Sequence, residues 1–533
     1  MKPIIFVLSL AALAATLVAA DWDQWRGGPG RNGVSSETSL PADLKPGRDG
    51  DLLTSPQLRW AACLGSQTYS TPTIAEGKVY IGTNDWNDGD RRFTGRGGGL
   101  LLCLSEKTGK LLWKLRSRRY EKKVYGSNFD DLKSGICSSP TVNDGQVFVV
   151  TNRAEVLCLD ADGLADGNDG SFRDEGRYLS GDDQPVVMLP GDADILWKFD
   201  LIADAPSAPH DVTHCNVLVD ERFVYVNTGN GVHRIPGQPT PLPDAPSLVA
   251  LDRKTGKLIA ADEELIGRRV FHGQWSSPAM GTVGRNSLIF FGGGDGVLYA
   301  FRRPKPKADK PPKSPLPLKT AWTFNCNPPE FRTGTEGKPI DYWAGDASRA
   351  KLPAGWKGPN EIIATPVFHD GRVYVATGRD PEHGLAPAHL HCIEATGNGK
   401  RKTSQAVWTY SGLSRSISTP VVADGLVYAA DLAGDIHCID AKTGKLVWKY
   451  RSGEEIWSSP LVADGKVYIG TQRRKLLILK AGRKKPLPTK IRLPSRLSAT
   501  PVAANGTLYL ATHKLLLAFE TRPRQTSRPA DRP

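Results

Sequence analysis

Residues 418–448 read STPVVADGLVYAADLAGDIHCIDAKTGKLVW. The alternation in LVYAA and DIHCID sets β-branched and aromatic residues on packed faces of short strands. The glycine of ADG supplies the positive φ of a tight hairpin, and AKTGK marks a second turn before a fourth strand that carries Trp448. Pro420 stands where a strand begins, the place a missing N–H is best tolerated. Similar sentences surround Pro366, Pro460 and Pro501, and Pro420, Pro460 and Pro501 are 40 and 41 residues apart. Four strands per period of that length make one blade of a β-propeller.

Working outward, Pro72, Pro140 and Pro278 head further copies, and a degenerate one places Val217 at the proline position, giving eight. The expected fold is therefore all-β, an eight-bladed propeller of four-stranded antiparallel blades. Trp113, Trp197, Trp322, Trp408 and Trp448 end outer strands, whereas the third blade has Ala260 there and the seventh has no aromatic. The last copy ends at Phe519 with no Trp strand, while an orphan QLRW at 57–60 precedes the first copy. Closure by that N-terminal strand removes the edges an open array would expose. The expected organisation is a signal peptide at 1–20, a capping segment at 21–56, the propeller at 57–520 and a disordered basic, Pro-rich tail at 521–533.

The N-terminus carries Lys2, an apolar run over 4–18 and small residues Ala19 and Ala20 before Asp21, the pattern of a cleaved leader. The run is too short for a trusted membrane span, so the mature chain is expected to be exported, periplasmic or extracellular, without a transmembrane segment and monomeric. The net charge of +13 is concentrated. Residues 302–319 hold seven basic side chains against Asp309, residues 473–492 hold nine with no acid, and the tail adds four. Without interleaved aromatics these read as solvated loops and linkers, and nucleic acid is not an expected partner. Of eight cysteines, Cys103, Cys158, Cys392 and Cys438 share one repeat position and read as small buried hydrophobes. Cys63, Cys137, Cys215 and Cys326 lie off it, and a bond between Cys137 and Cys215 on neighbouring inner strands is entertained.

The segments SEKTGKLLW (105–113), LDRKTGKLI (251–259) and DAKTGKLVW (440–448) resemble the tryptophan-docking repeat of pyrroloquinoline-quinone (PQQ) enzymes and of non-enzymatic relatives, among them the assembly factor BamB. DWDQWRGGPGRNG (21–33), HGQWSSPA (272–279) and GLSRSISTP (412–420) look like secreted PQQ-like repeat proteins of planctomycete-type bacteria. The resemblance implies either a non-catalytic binding or assembly scaffold, the reading preferred here, or a PQQ-dependent alcohol dehydrogenase with PQQ and calcium as cofactors. A propeller that binds sugar polymer or another small ligand is a third reading. The chain departs from the enzymes in having no adjacent cysteines and no CxxCH, so no catalytic residue and no cofactor are assigned.

Residues just before each blade proline enter the innermost strand and face the channel. Aligned so, they gather a candidate ligand site of His272, Gln274, Trp275, Glu361, Arg415, Glu455 and Trp457, where Arg415 is expected beside Glu361 and Glu455. The partner is an unidentified protein or small ligand at the channel mouth. Asp211 and His214 belong to the same alignment. His389 and His391, near Asp380, Glu382 and His383, have a spacing that suits zinc, but His391 recurs as His437 at a repeat position. DADGLADGNDG (160–170) has Leu164 in a ligand slot of a calcium loop and reads as a turn cluster. No metal site is assigned. DWDQWRGGPGRNG reads as a cap over one propeller face.

Overall fold

A computed structural model describes residues 20–93, 95–126, 128–180, 184–232, 240–306, 312–332, 359–381, 387–396 and 403–520. It is all-β. Eight sheets, each built from four antiparallel strands, follow one another along the chain, and one of them carries an added parallel strand. We number them blades 1 to 8, with inner strands beginning at Thr73, Thr141, Leu218, Ala279, Val367, Val421, Leu461 and Val502. The outer strand of blade 8 is Leu58–Cys63, which pairs antiparallel with Leu515–Glu520 and closes the ring as the orphan QLRW predicts.

Cross-strand register explains the repeat. Tyr80, Cys103 and Trp113 lie side by side across blade 1, as do Tyr374, Cys392 and Trp408 in blade 5 and Tyr428, Cys438 and Trp448 in blade 6. Blade 8 repeats the pattern with Tyr509, Ala518 and Trp60, although Trp60 arrives from the other end of the chain. A small residue between two aromatics leaves room for both rings on one face. Each Trp then docks on the next blade. Trp113 Nε1 donates to Ala161 O at 2.9 Å, Trp408 to Ala441 O at 2.9 Å, and Trp60 to Glu106 O of blade 1 at 2.8 Å. The KTG glycine of the receiving turn lies flat against the ring: a Cβ on Gly444 would sit 2.7 Å from Trp408, and its φ of +71° already favours glycine.

Around the axis a second device joins blades. The residue before each proline position is Thr71, Ser139, Asn216, Ser277, Thr365, Thr419, Ser459 or Thr500, and its side-chain oxygen accepts the backbone N–H of its counterpart in the preceding blade. Seven of the eight joints carry this bond, at 2.7–3.3 Å, the exception being blade 7 to blade 8. The recurrent SSP and STP are thus inter-blade fasteners.

Two expectations need correction. All eight cysteines are free thiols, so Cys137 and Cys215 form no bond. Cys215 stands where five of the other blades have serine and two have alanine, and its Sγ accepts the Asn227 N–H at 3.3 Å. The basic insert at 302–319 is not a free linker along its described length. Leu316–Pro317 adds a fifth, parallel strand to the outer edge of blade 3 beside Ala260 and Ala261, and Leu318 is buried. The edge that lacks a Trp is the edge the insert covers. Residues 307–311, residues 1–19 of the leader expected at 1–20, and the tail from 521 lie outside the described residues.

Candidate functional site

Residues 21–37 run around one end of the ring. Trp22 pairs with Ile74, Asp23 O accepts Val142 N, Pro29 O accepts Met280 N, and Gly30 O accepts Phe368 N. Asn32 bonds Val422 with both ends of its amide, Gly33 O accepts Val462 N, and Ser35 Oγ donates to Ala503 O. Every contact falls two residues after a proline position. Blade 3 is reached instead by Arg31, which donates to Val217 O at 2.9 Å and Pro278 O at 3.2 Å, while Arg26 reaches Pro420 O at 2.6 Å and Pro460 O at 3.0 Å. Both guanidinium groups are fully buried among carbonyls, and desolvation, with a further push from Arg31, lowers Arg26 to about 9, while burial lowers Arg31 to about 10.

Trp25 of this clasp lines an axial cavity together with Tyr69, Trp275, Trp457 and the hydroxyls before the prolines. Its volume is about 130 Å³. Trp457 stacks on Tyr69 at 6.2 Å between centroids. The two Trp rings are therefore where the alignment puts them.

The other predicted residues divide. His272 and Glu361 gather near Asp380: His272 Nδ1 lies 3.1 Å from Asp380 Oδ2, the Gly273 N–H donates to Glu361 Oε1 at 3.2 Å, and Arg415 Nη1 donates to Asp380 O at 3.0 Å. Gln274 turns away, donating Nε2 to Asn230 O and Ser247 Oγ as a strut between loops. Glu455 makes no ion pair among the described residues, so the expected Arg415–Glu455 contact is absent there, and its carbonyl accepts Gln472 N. It is the neighbouring Glu454 that binds Lys475.

His391 is spoken for, with Nδ1 3.0 Å from Thr409 Oγ1 and Nε2 3.1 Å from Cys326 O, so it has no nitrogen left for a metal. Burial, reinforced by His389, lowers it to about 3. Glu382 and His383 lie outside the described residues. The residue that sequence reasoning passed over is His210. Its Nε2 lies 2.8 Å from His272 Nε2, and both rings meet the Trp275 indole. The signal was the His-Asp pair in PHDVTH, where His210 stands one residue before the aligned Asp211.

A family model described as outer membrane protein assembly factor BamB matches residues 86–259 and 400–514, more than half of the chain. The chain belongs to that family. No curated protein matches it. Among solved structures the BamB-family chain is similar to a europium-containing methanol dehydrogenase, at 11% identity and TM-score 0.56, over 93% of this chain and 90% of that one. It is also similar to BamB from Moraxella catarrhalis, at 12% identity and TM-score 0.49, over 87% and 97% of the two chains. At such identity the methanol dehydrogenase speaks for the propeller fold alone.

The quinone implied by the sequence resemblance can be tested against the axial cavity. PQQ is a flat tricyclic tricarboxylate, and pockets for ligands of that size run to roughly 300–1,000 Å³. The axial cavity is smaller and is lined by no Arg, Lys, Asp or Glu among the described residues, so it offers the carboxylates no cation and a calcium ion no carboxylate. That cavity does not fit the quinone.

Proposed function

We propose that this BamB-family chain is an exported binding or assembly scaffold whose partner, a protein or small ligand, is held at the channel mouth rather than inside the channel. One observation carries the reading. The clasp and Trp25 fill one end of the axis, while His272, Glu361, Asp380 and Arg415 converge from blades 4, 5 and 6 beside Trp275. Distant segments of the chain meet in this way only near the axis, and mixed aromatic and charged side chains suit a polar partner with a flat face. Export is supported by the apolar run over 4–18 and the small residues before Asp21, and the clasp that begins at Asp21, which accepts Glu76 N and Asn505 Nδ2, makes its described bonds without residues 1–20.

The test is a difference absorbance spectrum of the mature chain after addition of PQQ and calcium, with dye-linked alcohol oxidation measured alongside. Neither signal is expected. A quinone spectrum with oxidation would replace the scaffold by a dehydrogenase. For the mouth itself, Arg415→Ala is expected to leave melting unchanged and to abolish capture of the partner.

A further inference from the structure

Of the nine cations at 473–492, five line one hollow in blade 7. Arg473, Arg474 and Lys475 come from the turn into its third strand, Lys490 and Arg492 from its outer strand, and Glu454 is the one acid among the described lining residues. The hollow measures about 360 Å³. Pockets for small ligands run to roughly 300–1,000 Å³, so it has room for one.

Two other blades show what this one lacks. Glu155 in blade 2 and Asp435 in blade 6 open their third strands, as Lys475 opens that of blade 7. Two residues further along, the outer strand of each places a lysine: Lys198 across from Leu157, Lys449 across from His437, Lys490 across from Leu477. In blades 2 and 6 the acid gathers the cations around it. Glu155 holds Lys198 at 3.3 Å and Arg153 at 3.1 Å, and Asp435 holds Lys449 at 3.1 Å and Arg451 at 2.8 Å. Blade 7 has the cations but a lysine in place of the acid. Lys475 stands directly across from Arg492, and like charges so paired repel. Arg473 takes the turn position of Arg153, and Arg474, at φ 65°, the left-handed position that Gly434 fills in blade 6.

The single carboxylate of the hollow is already engaged. Glu454 is buried, pairs with Lys475 through one oxygen and accepts the Thr471 hydroxyl on the other at 2.6 Å. Burial pushes its carboxyl up, but the bonds from Lys475 and Thr471 and the charges of Lys475 and Arg473 outweigh that and hold it below the ordinary range. Arg474 spends Nε on Leu493 O at 3.2 Å. Arg473, Arg474, Lys490 and Arg492 make no ion pair among the described residues, and the Nη groups of the three arginines make no hydrogen bond there. The other arginine-rich hollow, around Arg92 and Arg116, carries its own counter-charge, with Arg92 on Asp90 and Asp192 and Arg116 on Asp85. Blade 7 alone of the two presents a concave surface whose cations outnumber its acids five to one.

We propose that this hollow binds a phosphate monoester of a small polar alcohol, its phosphate held by Arg473, Arg474, Lys490 and Arg492, with Glu454 anchoring Lys475 beside them. A carboxylate satisfies one guanidinium fork. A phosphate monoester offers three terminal oxygens and a charge of about −1.5 to −2 at pH 7, which matches donors arriving from a turn and from a strand. The three arginines supply planar forks and Lys490 a point charge. The volume beyond the phosphate is what admits the rest of the ester.

The experiment titrates the full mature chain by calorimetry at low salt with glucose 6-phosphate, inorganic phosphate, glucose 6-sulfate and the polymer dextran sulfate. Glucose 6-phosphate is expected to bind one to one, more tightly than inorganic phosphate and than the singly charged sulfate ester, and to weaken as salt is added. Arg473→Gln and Arg492→Gln are each expected to weaken it about 10- to 100-fold. Arg483→Gln, whose arginine pairs with Asp440 at the opposite turn of the same blade, should leave it unchanged. Arg492→Glu sets an acid across from Lys475, so it should abolish binding without lowering the melting temperature, which separates a lost site from a lost fold. Glucose 6-phosphate should raise the melting temperature of the wild type but not of Arg492→Glu. No saturable binding of glucose 6-phosphate, binding undiminished in Arg473→Gln and Arg492→Gln, inorganic phosphate or the sulfate ester binding as tightly, or dextran sulfate binding alone would each overturn the site. None of these residues belongs to the channel mouth, so the scaffold reading stands or falls separately.

Discussion

A buried guanidinium with no salt bridge is unusual, and among the described residues Arg26 and Arg31 are two of them, with donors on carbonyls of four blades. The planar fork suits the task, because one rigid group can serve carbonyls on different strands, whereas an ammonium is a single point. Arg26→Lys and Arg31→Lys should each lower unfolding free energy by about 2–4 kcal/mol, two charge-assisted bonds being lost or strained. Urea denaturation at wild-type midpoint would show that the carbonyls do not need the fork. The sequence pointed to a cap at 21–33 but not to this device, since arginines in a glycine-rich run read as exposed and nothing in local pattern says that carbonyls converge on them. The hydroxyl before each proline was equally visible as letters and equally mute about its partner. His391 carries a pH prediction. Folded, it stays neutral down to about 3, while unfolded it protonates near the ordinary value of 6.5. Below that value the unfolded chain binds the extra proton, so this residue makes stability fall as pH drops from 6.5 toward 3. His391→Gln should flatten that part of the profile in melts between pH 7 and 4; an unchanged slope would place the titration elsewhere.

At the scale of elements, the strands, turns and Trp docking were legible because alternation, ADG and KTG are local signals. The docked insert was not. Seven cations in eighteen residues read as solvated, yet the three residues at its far end, Leu316 to Leu318, supply a strand and a buried side chain. Its near end is tied as well, by Arg303 to Asp220 at 2.7 Å. Blade 3 shows why. Its outer strand, Leu258–Ala261, has Ala260 where neighbouring blades have Trp, and an uncovered edge offers unpaired backbone groups to any other strand. Leu318→Ala should cost about 2–5 kcal/mol, as for a buried leucine in a core. A melt within a degree of wild type would show that the insert rests on blade 3 without supporting it.

For the whole molecule, the question is what holds the last blade to the first. Leu58–Cys63 forms the outer strand of blade 8, and Trp60 then docks on blade 1 through Glu106 O with Gly109 beneath its ring, as each other docked Trp meets the blade after it. Thr500 N–H donating to Thr71 Oγ1 makes the same joint at the axis. The hydroxyl chain misses only the joint from blade 7 to blade 8, and there the clasp intervenes: Ser35 N–H donates to Val462 O and Ser35 Oγ to Ala503 O, one residue bridging both blades. The first strand of the chain thus waits for the last, and closure is a property of the complete ring rather than of any blade. Trp60→Ala should therefore cost as much as Trp448→Ala, on the order of 3–5 kcal/mol for a buried Trp. A chain beginning at Ser66 loses both the closing strand and the clasp. It should melt lower still and self-associate through the bared edge of Leu515–Glu520, which light scattering would detect. If that truncated chain melts like the full mature protein and stays monomeric, neither the N-terminal strand nor the clasp holds the ring.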